Sequence, residues 1–364
     1  MRRVLQGISV FFGAALCLSA PAPVHDRIVA YFRGWYAHVP GSEVTAKPTK
    51  EVTVAGLESW LVERTAPAKG RNETSLALYD PSTDEVFVGD AFGDPDRAAA
   101  SKPFDPGKDL PNVEASLAEM FGLPLKVELG STPRGALIPL TVNVRLEKGS
   151  ETSFTRSGFV SKDGSALLLG QFHPLSGSAA AYREKLIAES PGVRTASGSF
   201  LVTEFLDFQC DRCRIRTPDV RRAVEQKGGA VEIRFLPLVK THEWAFAAAE
   251  SAAALAAIKP ELYRHYEEAM FARGEGMTPA AARELASDIA EAGGAKDAFS
   301  AELSSGRARA RVARDVTLAM RLGIISTPSF VYRGTYVPGE KGSLETFLWE
   351  SVPAPAKKPT TRNP

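Results

Sequence analysis

Residues 205–218 read Phe-Leu-Asp-Phe-Gln-Cys-Asp-Arg-Cys-Arg-Ile-Arg-Thr-Pro. Residues 199–208 are apolar and β-prone, and residues 213–226 carry a helical pattern stopped by Gly228-Gly229. Cys210 and Cys213 therefore stand where a strand hands over to a helix. A helix start carries free backbone N–H groups and partial positive charge, and both favour a thiolate over a thiol. Cys210 is expected to be acidified and nucleophilic. Cys213 is expected one turn further on, close enough to form a disulfide with it and to resolve a mixed disulfide. Arg212, Arg214 and Arg216 are expected to stabilise the thiolate and Asp211 to oppose them, which predicts an intermediate redox poise.

Two other uses of a Cys-x-x-Cys stay open from the residues alone. Zinc would need two further ligands. The chain has 3 cysteines, and the third, Cys17, falls in the N-terminal apolar run. The histidines, His25, His38, His173, His242 and His265, are scattered. The other alternative is an inert structural disulfide.

Outward from the motif, residues 231–238 read as a second strand. Residues 242–322 are Ala- and Glu-rich and helical, broken near Pro260, Gly274 and Gly293-Gly294. Residues 329–333 form a strand, with Tyr336-Val337 pairing across Gly334, and residues 343–351 a closing helix capped by Ser343. Strand, helix, strand, helices, hairpin, helix is the thioredoxin order with a helical insertion, placed over residues 196–352. Pro328 opens the last hairpin, where a residue without an N–H is tolerated.

Ahead of this region lie two stretches with the same pattern. In one, Leu78-Tyr79-Asp80 leads through a turn to Val86-Phe87-Val88-Gly89-Asp90. In the other, Phe159-Val160-Ser161 leads to Leu167-Leu168-Leu169-Gly170-Gln171. Each reads as a hairpin ending in glycine. An earlier strand precedes each (51–55 and 140–146), and a helix precedes each strand (25–37 and 113–121). The expectation is an α/β chain with two small α+β, cystatin-like repeat units at 26–100 and 112–190. A Pro- and Gly-rich linker joins them at 101–111, and a disordered tail follows at 353–364.

The chain is 364 residues long, and its 44 basic and 43 acidic side chains nearly cancel. That balance gives no basic footprint for nucleic acid. Arg2 and Arg3 followed by an apolar run to Leu18 and small residues read as a signal peptide over 1–22. The expected location is periplasmic or otherwise extracytoplasmic, with an uncleaved membrane anchor as the alternative.

Three separate segments, Phe205 to Pro218, Lys240-Thr241-His242-Glu243-Trp244-Ala245, and Leu322 to Phe330 with its Ser326-Thr327-Pro328 core, resemble the DsbA-like family of thioredoxin-fold oxidoreductases. The resemblance covers about residues 199–339. It implies a thiol–disulfide oxidoreductase or isomerase without a cofactor or metal, with Cys210 as exposed nucleophile and Cys213 as buried partner. It also implies that Thr327-Pro328 is the cis-proline loop that binds the substrate chain beside the disulfide. Family members often carry Pro after the first Cys, and here Asp211 stands there, which weighs against strong oxidising character. The implied partners are client proteins with thiols or disulfides and a membrane redox partner that recycles the pair. The glycine-ended hairpins more weakly resemble the N-terminal domain of DsbC- and DsbG-type isomerases, which dimerises. Two copies in one chain imply either an internally paired monomer or a homodimer. Rival readings are a chaperone or peptide-binding module with the redox pair secondary, and a reductase of oxidised cysteines.

Among the remaining residues, Arg307, Arg309, Arg311 and Arg314 read as an acidic-partner site or a solvated helix face. Phe32, Trp35, Tyr36 and Trp60 read as a peptide surface or core. His242, Trp244 and His265 read as neighbours of the cysteines or as structural residues.

Overall fold

The computed structural model describes residues 22–36, 41–66, 71–94, 98–99, 102–146, 153–194, 196–273, 276–340 and 344. The expected signal peptide, the closing helix apart from Leu344, and the tail lie outside the described residues.

The front half is one antiparallel sheet of eight strands. Helix α1 (Val24–Trp35) is followed by β1 (Glu43–Pro48), β2 (Glu58–Ala66), β3 (Arg71–Asp80) and β4 (Glu85–Gly93). Helix α2 (Pro106–Phe121) is followed by β5 (Leu125–Leu129), β6 (Leu137–Arg145), β7 (Ser153–Ser161) and β8 (Ala166–Pro174). The strand order β1-β2-β3-β4-β8-β7-β6-β5 is a palindrome. Each half is a four-strand meander, and the two meet edge to edge through β4 and β8, with Gly89 paired to Gly170 at the centre of the join. These glycines therefore mark the junction of the two halves. A Cβ on Gly89 would strike the Leu169 carbonyl, and one on Gly170 the Val88 carbonyl.

Two expectations differ from the structure here. Residues 51–55 are not a strand. Val52 and Val54 alternate because they dip from a loop into the core beside Leu78 and Phe87, and the neighbouring strand is β2. The stretch 101–111 is not wholly a linker, because α2 begins at Pro106. Asp105 caps it, accepting from the Gly107 N–H at 3.0 Å, and Pro106 supplies the preset φ of a first helical position.

Helix α3 (Ala179–Ala188) leads into the second sheet, which contains β9 (Val193–Arg194), β10 (Leu201–Leu206), β11 (Ala230–Phe235), β12 (Ser329–Tyr332) and β13 (Thr335–Pro338). Its order is β13-β12-β10-β11-β9. β10 and β11 are parallel, and β12 runs antiparallel to β10. Helix α4 (Asp211–Gln226) makes the β10–β11 crossover. Between β11 and β12 lie α5 (Ala245–Ile258), α6 (Pro260–Arg273), α7 (Pro279–Ala292), α8 (Lys296–Ser304) and α9 (Arg307–Leu322). This is a thioredoxin fold with a helical insertion. The strands β10 and β11 are buried on both faces, as a parallel pair covered by helices requires.

The two halves of the chain share packing. The second meander, α2 and the thioredoxin domain contribute to one continuous core. The Thr155 N–H of β7 donates to Thr317 Oγ1 of α9 at 3.0 Å. Arg183 of α3, 1% exposed, donates to the carbonyls of Gly334 and Trp35 at 3.2 and 3.0 Å, which ties the β12–β13 turn to the end of α1. Among the described residues no helix is long and apolar enough to cross a membrane.

Candidate active site

The site forms where β10 ends. Its last residues run into Asp207-Phe208-Gln209, and Cys210 then occupies the N-cap position of α4. Asp207 shapes this turn. Its Oδ1 accepts from the Gln209 N–H at 2.7 Å, its Oδ2 accepts from the Leu238 N–H at 2.8 Å, and its carbonyl accepts from the Cys210 N–H at 3.2 Å. The turn thus fixes Cys210 at the helix mouth and pins the loop after β11 beside it.

The structure brings Cys210, Cys213, Thr327 and Pro328 together. The Thr327-Pro328 peptide is cis, and the Cys210 thiol donates to the Thr327 carbonyl at 3.3 Å. Thr327 is buried, and its hydroxyl makes no hydrogen bond in ordinary geometry among the described residues. It is therefore available to the sulfur once the thiol ionises. Cys210 retains 9% exposure and Cys213 none.

The two thiols are driven apart. Cys210 is lowered to about 6, first by a hydrogen bond from the Cys213 thiol, then by the Thr327 hydroxyl and the Cys213 backbone N–H, against burial and the negative Asp207. Cys213 is pushed well above its ordinary value, first by burial and then by holding its proton toward Cys210. One sulfur is set to ionise near neutral pH, and the other to keep its proton.

The expected pKa-tuning residues sit differently. Asp211 is exposed and pairs with Arg214 at 3.3 Å. Arg212 is exposed, and Arg216 is buried beside Asp219 at 3.9 Å. Besides burial, the groups that act most on the Cys210 sulfur are Cys213, Thr327 and Asp207. Asp211 and Arg214 share the wall of one cavity with Cys210, while buried Arg216 turns toward Asp219.

Sequence reasoning missed Asp207, Gln209 and Glu204. Glu204 is wholly buried in β10, below the cysteines, and accepts from the Thr217 hydroxyl at 2.5 Å and from Arg221 at 3.3 Å. Burial raises its pKa. Its signal was legible, since an acid in the middle of an apolar parallel strand requires a buried partner. His242 and Trp244 line a cavity of about 320 Å³ with Cys210, Asp211 and Arg214, and Gln209 Oε1 accepts from the Trp244 N–H at 2.9 Å. His265 does not line this cavity.

A second cleft, of about 350 Å³, lies between the joined sheet and the segment leading to the cis-proline loop. Trp35, Tyr36, Leu76, Gln171, Met320 and Ile325 are among its walls. Ile325, two residues before Thr327, is 75% exposed. Of the four front-half aromatics, Phe32 and Trp60 are core, and Trp35 and Tyr36 line the cleft together with Phe32. Within the basic run on α9, Arg309 meets buried Glu250 at 2.8 Å and Arg311 donates to the Ala253 carbonyl at 3.2 Å, while Arg307 and Arg314 are exposed. Among the described residues no group of three His, Cys, Asp or Glu could hold a metal ion.

Residues 196–347 match the thioredoxin family model. No curated protein matches the chain. Among solved structures, the thiol-disulfide exchange protein alpha-DsbA2 from Wolbachia pipientis is 18% identical, with 48% of this chain and 95% of that chain covered at a TM-score of 0.39. The catalytic domain of ScsC from Proteus mirabilis is 20% identical over 47% and 96% of the two chains at a TM-score of 0.37. A thioredoxin-like oxidoreductase from Silicibacter pomeroyi is 26% identical over 42% and 87% at a TM-score of 0.35.

Proposed function

We propose that this chain, whose residues 196–347 form a thioredoxin-family domain, is an exported thiol–disulfide oxidoreductase or isomerase acting on client proteins through Cys210 and Cys213. One observation carries this reading. Cys210 sits at the mouth of α4, 3.3 Å from the Thr327 carbonyl, with its pKa lowered to about 6, while buried Cys213 holds its proton.

The chemistry balances on two electrons. The Cys210 thiolate attacks one sulfur of a client disulfide. That S–S bond breaks, a mixed disulfide forms, and the client's other sulfur leaves as a thiolate. Cys213 loses its proton and attacks Cys210, so the client leaves reduced and the chain holds the Cys210–Cys213 disulfide. The reverse sequence oxidises a client dithiol, and attack without net electron transfer reshuffles client bonds. Pro328 and the Thr327 carbonyl lie where an extended client backbone would run past the sulfur. A redox partner at the membrane would reset the pair. The N-terminal run of residues 4–18, apolar apart from Gln6 and Ser9, supports export.

The front half supports a client-holding role. The 350 Å³ cleft with its aromatic wall opens beside Ile325, close to the cis-proline loop. The same cleft favours the second reading, a chaperone in which the cysteines are secondary. The palindromic sheet supports duplication of a small α+β unit, and its internal join supports a monomer, which a sizing column would test.

Turnover of a disulfide-bonded peptide by the full chain and by Cys210→Ser decides between the readings. The oxidoreductase reading requires turnover by the parent chain and its loss in the variant. Suppression of aggregation by both chains with turnover by neither leaves the chaperone.

A further inference from the structure

We infer that His242 is the cation that compensates Asp207 beneath Cys210, and thus a positioning residue that holds the charge of the attacking sulfur. The inference rests on the reading of Cys210 as the nucleophile.

The Asp207 side chain has no solvent exposure. A buried carboxylate needs both hydrogen bonds and an opposite charge. Two backbone donors, from Gln209 and Leu238, supply hydrogen bonds but no full charge. His242 Nδ1 lies 2.7 Å from Asp207 Oδ2 and can supply both. The arginines around the cysteines are directed elsewhere, Arg214 to Asp211 at 3.3 Å and Arg216 toward Asp219 at 3.9 Å.

The placement couples this pair to the sulfur. Asp207 precedes Cys210 by three residues and accepts its backbone N–H, and its negative charge opposes the thiolate. His242 lines the same cavity as Cys210. The titratable and charged groups facing His242 are Asp207 from the β10–α4 turn and Cys210, Asp211 and Arg214 from the start of α4. The hydrogen bond to Asp207 raises the His242 pKa first, burial lowers it, and the Cys210 thiolate and Asp211 raise it further. Coupling between two sites is reciprocal, so what the thiolate does for the imidazolium, the imidazolium does for the thiolate. With His242 protonated, the pair beneath Cys210 is neutral overall. With His242 neutral, a net negative charge faces the sulfur and its pKa rises.

The test uses the reduced full chain without any client. The Cys210 thiolate is followed by ultraviolet absorbance and by iodoacetamide alkylation from about pH 5 to about pH 9. His242→Asn keeps a donor toward Asp207 and removes the charge, and His242→Lys restores a charge. We expect His242→Asn to raise the Cys210 midpoint by about half to one pH unit, which slows alkylation near pH 6 by roughly two- to fivefold. His242→Lys should recover most of that rate, and His242→Asn should have little effect in an Asp207→Asn background. An unshifted midpoint in His242→Asn, or an equal shift in the Asp207→Asn background, overturns the inference. Should the variants not fold, the imidazole titration of the parent chain decides, because capping Cys210 with iodoacetamide must lower the His242 pKa and an unmoved imidazole sinks the idea. Failure of disulfide turnover in the parent chain would sink the proposed function and leave this result standing.

Discussion

Gly89 and Gly170 face each other across the β4–β8 join, so close that neither tolerates a Cβ. Gly89 also has a φ of +152°, which side-chain-bearing residues rarely adopt. The two halves of the eight-strand sheet therefore meet only because both positions lack a side chain. Gly89→Ala and Gly170→Ala are each expected to lower stability by about 2–4 kcal/mol, read as a fall in melting temperature. Cys210 alkylation at a temperature where the variants remain folded should change little, since the join lies in the other sheet. Melting temperatures equal to the parent's would show that the join yields without cost.

The thioredoxin half was legible because its signals are local and redundant. Apolar runs of strand length, the Gly228-Gly229 stop and the helix breaks each pointed to the same order. The front half was legible as two hairpins, yet the joining of β4 to β8 was not. Edge pairing between distant segments leaves no periodic mark in either one. The valines at 52 and 54 imitated a strand because a loop that dips into a core alternates in the same way. At the site, Cys210 and Cys213 were legible from motif chemistry, and the Thr327-Pro328 loop from the family resemblance. Asp207 was not, and neither was its pairing with His242, because that relation crosses 35 residues and depends on how β11 returns beside β10.

Thr327 offers a test of how the thiolate is held. Its hydroxyl helps lower Cys210 to about 6 from 9.0. Thr327→Val keeps the carbonyl and the shape but removes that donor, so the Cys210 midpoint should rise toward the ordinary thiol value. The sign for stability follows from linkage. A group whose pKa is depressed on folding stabilises the fold above its unfolded pKa and loses that contribution as pH falls through the folded value. The reduced parent chain should therefore lose stability between about pH 9 and about pH 6 from this group, and Thr327→Val should lose less. A less stabilised thiolate also makes the disulfide less oxidising, so equilibration against glutathione should place Thr327→Val at a lower potential than the parent. A higher potential would contradict the role given to the hydroxyl.

Acid sensitivity should originate in the front half. His173 is 1% exposed and stacked on Tyr182 with ring centroids 3.8 Å apart, and its Nδ1 meets the Tyr31 hydroxyl. Burial first, then Arg183 and Arg321, hold it down to about 3 from 6.5. The unfolded chain takes up this proton near pH 6.5 and the folded chain does not. Its contribution is complete above pH 6.5 and is lost as pH falls toward 3, at up to about 1.4 kcal/mol per pH unit. His173→Gln removes the titration and keeps polar contacts. Urea midpoints measured from neutral pH down to about pH 4 should fall less steeply in the variant. Parallel slopes would place the acid-sensitive group elsewhere.

The asymmetry of the two cysteines predicts which single variant traps a client. With Cys213→Ala, Cys210 still has the Thr327 hydroxyl and the helix mouth to support its thiolate, but it loses the Cys213 thiol that contributes most to its low pKa. It should attack a client disulfide more slowly than the parent and then remain bound, because no thiol lies a turn away to release it. With Cys210→Ala, Cys213 remains without solvent exposure and with its pKa raised by burial, so it should attack poorly. Non-reducing gels after incubation with a disulfide-bonded peptide should show a reductant-sensitive adduct for Cys213→Ala and little for Cys210→Ala. Equal trapping by the two variants would mean that Cys213 reaches solvent. The division of labour drawn from burial and from the lowered Cys210 pKa would then be wrong.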